Sequence, residues 1–264
     1  MRIGLAQVNP TVGDLAGNAD LILAAARRAA SRGAEVVVFP ELSLTGYPLR
    51  DLVEKPSFLE RTQQQLDRLA AETSSLDATL ICGYVSRSEA PAGKTAANSA
   101  AVIRRGKILF RQAKMLLPTY DVFDEARYFV PAEQQSVCLL EGTPAALTIC
   151  EDAWNDKQYW ERRLYRRDPV EELVAQGAKV LISINASPYH MGKRSVRREI
   201  FAASARRHGA PVVYVNQVGG NDQLIFDGSS FAMDAQGRVL AAAASFAEDL
   251  VVVDTDKGAG VIHE

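Results

Sequence analysis

Apolar and polar positions along the chain switch repeatedly between a strand period and a helix period. Ile3–Val8 reads as a first strand. Leu15, Ala19, Ile22, Ala26 and Ala29 then recur at helical spacing, and Gly33 closes that helix. Glu35–Phe39 is a β-branched run that suits a strand covered on both faces. Leu59, Thr62, Leu66, Leu69 and Ala70 mark a second amphipathic helix, and Ala78–Val85 another buried strand. Ser99–Phe110 predicts a hairpin turning at Arg105-Gly106. A strand ends over Leu147–Cys150, and Asp156–Gln176 predicts mostly helix, interrupted near Pro169. Val180–Ala186 reads as a strand, Val196–His208 as a helix and Pro211–Val218 as a strand. The tail from Ser229 to Asp254 predicts strands joined by a turn at Gln236-Gly237.

Alternation that gives way to strands implies an α/β protein, with a mixed sheet or a two-sheet sandwich flanked by helices. No linker, repeat or low-complexity segment divides the chain, and Glu89–Lys94 reads only as a loop. At 264 residues a single domain is expected. A chain of that length buries about three-quarters of its unfolded surface, so it needs no disulfide or metal staple.

Composition narrows the chemistry. Lys plus Arg is 30 against 32 for Asp plus Glu, a net charge of −2, which argues against a broad nucleic-acid binder. No apolar run is long enough to span a membrane. The opening MRIGLAQVNP is broken by Gln7, Asn9 and Pro10 and reads as a strand, not a signal peptide. The three cysteines are odd in number and lack CxxC spacing, and the three histidines form no HxxxH pair. Chemistry must therefore rest mainly on carboxylates, lysines or a thiol.

Three residues stand out, each set in a polar segment that follows a strand, where sites usually lie. Cys150 ends the run ALTIC and is followed by Glu151-Asp152, whereas Cys82 and Cys138 lie in apolar strand contexts and read as inert core thiols. Lys114 precedes the apolar Met115–Leu117, where its ammonium requires a carboxylate partner. Glu41 follows VVVFP, an unusual place for a solvated acid. A cysteine must become a thiolate to attack carbon, a glutamate within reach can take its proton, and a lysine can supply charge to an oxyanion. The rival arrangement is a Cys150–His190 dyad, since His190 also lies in a post-strand loop.

FPELSLTGYP, KMLLPTYDVFDEARYF and LTICEDAW, in that order, resemble the signature segments of the nitrilase (carbon–nitrogen hydrolase) superfamily. LPTYDVFDEARYF, ICEDAW, NASPYHMGKRSVR and YVNQVGGNDQLIFDGSS are further similar to the glutaminase domain of bacterial glutamine-dependent NAD synthetases. The resemblance covers nearly the whole chain. It implies a four-layer α-β-β-α sandwich over residues 1–264, with Glu41 as general base, Lys114 as oxyanion-stabilising lysine and Cys150 as nucleophile. It also implies that Glu125 supports the site, and that Tyr120, Glu151, Trp154, Ser187 and Lys193 contact L-glutamine. Read alone, Lys193 and Arg194 are a solvated charge pair.

The departure from that family is as informative. Such synthetases carry a second domain whose ATP site begins with a Ser-Gly-Gly-x-Asp-Ser loop, and no such loop occurs here. The expectation is a cytoplasmic, homo-oligomeric glutaminase without metal or cofactor. ATP and Mg would serve only a synthetase domain, fused or separate, that accepts the ammonia. A free-standing amidase of the ω-amidase type and a catalytically silent docking domain are the alternatives.

Overall fold

Two six-stranded sheets pack face to face, and helices cover both outer faces. The computed structural model describes residues 1–88, 92–156 and 159–263. The first three residues of the Glu89–Lys94 loop lie outside that set, as do residues 157 and 158. The first sheet is built from β1 (Arg2–Gln7), β2 (Val36–Val38), β3 (Thr79–Arg87), β4 (Ala96–Arg104), β5 (Lys107–Ala113) and β14 (Asp249–Asp254), in the order β14-β1-β2-β3-β4-β5. The second contains β6 (Cys138–Leu140), β7 (Thr143–Ile149), β8 (Val180–Asn185), β9 (Val212–Asn216), β12 (Phe231–Met233) and β13 (Val239–Ala242), in the order β13-β12-β9-β8-β7-β6. A separate hairpin pairs β10 (Val218–Asn221) with β11 (Leu224–Asp227).

Period-two alternation explains the layers. Ile3, Leu5, Val36 and Val38 of the first sheet share one core with Leu147, Ile149, Ile182, Ile184, Val213 and Val215 of the second. The opposite faces pack outward. Ala6, Val37 and Leu80 meet helices α1 (Leu15–Ser31) and α2 (Pro56–Glu72). Ala146, Leu181, Val212 and Tyr214 meet α4 (Pro169–Ala175) and α5 (Lys193–His208). The result is the four-layer α-β-β-α sandwich that the resemblance implies. Truncating a central inter-sheet residue such as Leu147 to alanine would cost about 2–5 kcal/mol, because neither sheet can collapse into the gap.

Most expected elements are present with shifted ends. The β4–β5 hairpin turns at Arg105 and Gly106, both at positive φ, and runs on past Phe110 to Ala113. Helix α5 starts at Lys193, three residues before the first apolar position that marked it. One expectation fails. Within Asp156–Gln176 the helix is confined to Pro169–Ala175, and Tyr159–Asp168 has no regular helix. Asn155 explains this: its side chain donates to the carbonyls of Tyr165 and Arg167, and accepts from the Tyr165 amide. Such side-chain bonds compete with a helical ladder. Arg207 then ties Asp156 to Asp168 at the two ends of the segment. The helix begins only where Asp168 caps the Glu171 amide and Pro169 occupies the first turn.

Strands β1–β3 run parallel, as do β7–β9. The segments carrying Glu41, Lys114, Cys150 and Ser187 leave the C-terminal ends of β2, β5, β7 and β8, where open α/β sheets usually build their sites. No helix among the described residues is long and apolar enough to cross a membrane.

Candidate active site

Glu41 reaches the site because β3 leaves room for it. Gly83 Nα donates to Pro40 O, and its own carbonyl accepts from Leu44, so the loop after β2 lies directly on the β3 backbone. Lys114 follows β5 and its amide donates to the Asn98 carbonyl of β4. Glu125 opens the short helix α3 (Glu125–Tyr128). All three side chains are buried. The Lys114 ammonium lies 2.8 Å from Glu41 Oε1 and 2.8 Å from both oxygens of Glu125. Its three donors are thus all used on carboxylates.

Each carboxylate is also held from elsewhere. Asn98 Nδ2 donates to Glu41 Oε1 at 2.7 Å, and the Ala186 amide to Glu41 Oε2 at 2.9 Å. Tyr47 donates its hydroxyl to Glu125 Oε1 at 3.0 Å. Burial pushes the Glu125 carboxyl up to about 7, against the pull of Lys114 and with a further push from Glu41. Burial alone would drive Lys114 down, but Glu125 and Glu41 outweigh it and hold the ammonium charged.

Cys150 sits at the junction of β7 and a 3₁₀ turn, Cys150–Ala153, with φ at 46°. A cysteine rarely adopts that left-handed conformation, and strain of this kind clusters at functional sites. Burial raises its thiol well above the ordinary range, the Glu41 charge raises it further, and Lys114 opposes both. The resting group is therefore the thiol, and attack requires a base. Asp152 fixes the turn against the Lys114 segment. Its Oδ1 accepts from the Met115 and Leu116 amides, and its Oδ2 from Gln135 and Ile149.

A cleft of about 380 Å³ opens above Cys150. Cys150, Glu151, Tyr120, Trp154, Ser187 and Lys193 all line it, whereas Glu41, Lys114 and Glu125 lie in the protein behind it. Tyr120 donates its hydroxyl to Glu151 at 2.8 Å. Lys193 makes no ion pair among the described residues. Its Nζ lies 5.6 Å from the centroid of the Trp154 ring and 5.9 Å from that of Phe123. Burial, then the nearby Arg197 charge, push its amine below the usual lysine range.

His190 also lines the cleft, but its Nδ1 faces the Met191 carbonyl of its own loop at 2.9 Å. The charges that weigh most on the thiol are those of Glu41, Lys114, Glu151 and Glu125. The arrangement favours the glutamate–lysine–cysteine set over a cysteine–histidine dyad. Cys82 and Cys138 are buried in the two cores, as expected, and burial pushes both thiols up to about 12.

Other residues of this network stand apart from the sequence expectations. Asn98 does carry a signal: the polar pair Asn98-Ser99 interrupts an otherwise apolar strand. Tyr47 lay in a segment noted only for Glu41. Arg197 was not singled out by the sequence, yet it is 1% exposed and paired with Asp227.

The profile of the carbon-nitrogen hydrolase family matches residues 2–261. The chain is 42% identical over 261 residues to the glutamine-dependent NAD(+) synthetase of Synechocystis sp., an alignment covering 98% of this chain and 47% of that protein. It spans about half the length of the curated relatives it matches. The solved glutamine-dependent NAD+ synthetase of Acinetobacter baumannii superposes with a TM-score of 0.84 at 33% identity, over 100% of this chain and 47% of that one. A variant amidase from Nesterenkonia sp. AN1 carries the acetamide moiety of fluoroacetamide on its active-site cysteine. It superposes with a TM-score of 0.82 at 26% identity, over 96% of this chain and 89% of its own. With its two facing sheets and a buried carboxylate–lysine cluster behind a strained cysteine, the chain belongs to the carbon–nitrogen hydrolase family.

Proposed function

We propose that this chain is a glutamine amidohydrolase that works through a thioester on Cys150. The observation that carries the reading is the buried Glu41–Lys114–Glu125 cluster set behind Cys150, beneath a cleft that offers both an acid and an amine. Glu151 suits the substrate's α-ammonium and Lys193 its α-carboxylate, with Tyr120, Trp154 and Ser187 completing the wall.

These positions support the following cycle. The Cys150 sulfur attacks the side-chain amide carbon as Glu41 accepts the thiol proton. The Lys114 charge stabilises the oxyanion of the tetrahedral intermediate. Collapse breaks the C–N bond, ammonia leaves with the proton from Glu41, and a γ-glutamyl thioester remains. Water then attacks as Glu41 takes its proton, and glutamate is released with the thiol restored. Glu125 keeps Lys114 in place throughout. Glu41, Lys114 and Cys150 handle every proton and charge, so the cycle calls for no metal or organic cofactor. The ammonia would pass to an NAD synthetase domain, fused or separate, in which ATP and Mg would act. We further propose that residues 1–264 form one hydrolase domain and associate as a homo-oligomer.

The Nesterenkonia amidase, matched over most of its own length, favours a second reading: hydrolysis of another small amide without a synthetase. Ammonia release measured from L-glutamine beside glutaramate and simple aliphatic amides separates the two. The glutaminase reading expects L-glutamine to have the highest kcat/KM, and preference for a simple amide would overturn it. Covalent capture of Cys150 by an electrophilic glutamine analogue excludes a silent docking domain.

A further inference from the structure

Arg197 is the bulkiest fully buried side chain among the described residues. An arginine is almost never buried without partners, and those of Arg197 are specific. Nη1 meets Asp227 at 2.7 and 2.8 Å. Nη2 donates to the carbonyls of Ser187 and Pro188 at 2.7 and 3.0 Å. Nε donates to Ser187 Oγ at 3.3 Å. Ser229 steadies Asp227 in turn. From the other side, Asn216 accepts from the Ser187 amide and donates to the Ser187 carbonyl. Ser187 is thus held through its amide, its carbonyl and its hydroxyl oxygen.

The hydroxyl contact has a chemical consequence. A serine hydroxyl has one hydrogen to give and two lone pairs to accept with. A guanidinium N–H can only donate, so Arg197 fills one acceptor position on Ser187 Oγ; the buried Tyr214 hydroxyl beside Ser187 can donate to the other, which leaves the serine hydrogen free. Ser187 lines the same cleft as Lys193. We propose that Arg197 is a positioning residue for the substrate's α-carboxylate: it turns the Ser187 hydroxyl hydrogen into the cleft, where Ser187 and Lys193 together grip the anion. The proposal rests on the glutaminase reading and deepens it, because only a substrate with a carboxylate remote from the amide would gain.

The charge pattern fits. Lys193 and Arg197 lie four residues apart on α5, so they stand on one helix face. Two cations so placed repel one another, and Asp227 pairs with only the deeper one. Asp121 and Asp227 offset part of that repulsion, and the charge left on this face of α5 favours an anion.

Two amides make the test. L-Glutamine carries the carboxylate, and 4-aminobutanamide is the same molecule without it. KM and kcat for ammonia release are measured with the unaltered chain, Arg197→Lys, Ser187→Ala and the double variant. Arg197→Lys should raise KM for L-glutamine about tenfold, the size of a lost hydrogen bond to a charged group, with kcat changed less. KM for 4-aminobutanamide should rise far less. In the Ser187→Ala background, Arg197→Lys should add little to KM for L-glutamine, because its path to the carboxylate is already gone. Additive effects, or equal rises for both amides, would mean that Arg197 only holds the fold and would overturn the proposal. Should Arg197→Lys fail to fold, Asp227→Asn keeps the guanidinium but loosens its anchor. It must then raise KM for L-glutamine selectively, and an unchanged KM overturns the proposal. If the unaltered chain hydrolyses simple amides but not L-glutamine, the glutaminase reading falls and takes this one with it. If it hydrolyses L-glutamine and 4-aminobutanamide with equal KM, only the carboxylate grip falls.

Discussion

A methyl group on Gly83 would lie 2.1 Å from the Leu42 backbone nitrogen and 2.8 Å from Glu41 Cα. The constraint is space between two backbones. Leu42 itself is turned to a φ of 49°, which lets the chain double back after the buried glutamate. Gly83→Ala must therefore push the Glu41 loop off β3 and away from Lys114. Misplacing a catalytic group by about 1 Å can cost on the order of 100-fold in rate. The expected outcome is a loss of ammonia release of that order, with about 1–3 kcal/mol of stability lost to overpacking in urea unfolding. Near-normal turnover would show that the base is not on this loop.

Cys150→Ala and Cys150→Ser should abolish glutamine hydrolysis and leave the fold intact. Removal of a nucleophile can cost about 10⁶-fold in rate. Cys82→Ala and Cys138→Ala remove core thiols instead, so each should cost about 1 kcal/mol of stability and little activity. Intact-mass analysis after exposure to an electrophilic glutamine analogue should find the adduct on Cys150 alone. An adduct at Cys82 or Cys138, or turnover by Cys150→Ala, would refute the assignment.

Glu125 gives the stability a pH dependence. Its carboxyl rises from the ordinary 4.5 to about 7 in the folded protein, because burial disfavours its charge more than Lys114 restores it. Below about 4.5 the acid is neutral in both states and this contribution is fully present. As pH climbs through about 7 the folded protein must hold a buried charge, and the contribution is lost. Its ceiling is on the order of 3 kcal/mol. Urea midpoints measured from pH 5 to pH 8 should fall more in the unaltered chain than in Glu125→Gln, which cannot ionise. Parallel curves would mean that Lys114 keeps Glu125 ionised throughout.

The strands were legible as continuous apolar runs, because both faces of each are covered: Val36 and Val38 face one core and Val37 the other. The choice of a four-layer sandwich over a mixed sheet rested on the resemblance. Glu41, Lys114 and Cys150 were legible because each interrupts or ends an apolar run, where an ionisable group has no bland explanation. Residues 159–168 were misread because their backbone is governed by Asn155 and Arg207, and no local pattern reports a side chain that bonds ten residues away. Arg197 was hidden for the same kind of reason. In one dimension it belongs to a run of helix charges, and its burial depends on Asp227, thirty residues on, and on the Ser187 and Pro188 carbonyls.

Lys193 is the residue whose protonation substrate binding should report. It begins α5 above the Trp154 and Phe123 rings, and burial and then Arg197 lower its pKa. Lys193→Ala should raise KM for L-glutamine and disturb kcat less, because it removes ground-state binding. The lowered pKa adds a sharper expectation. At low pH the ammonium is complete and KM is at its floor. As pH rises through the lowered value the charge is lost, so KM should climb earlier than an ordinary lysine would allow. An arginine stays charged across the whole range. Lys193→Arg should therefore remove the part of the rise that Lys193 causes. The substrate's own α-ammonium titrates identically in both assays and cancels in the comparison. If the two KM profiles ran parallel with pH, Lys193 would not be the carboxylate's partner. If Lys193→Ala instead lowered kcat at constant KM, the residue would belong with the chemistry at Cys150.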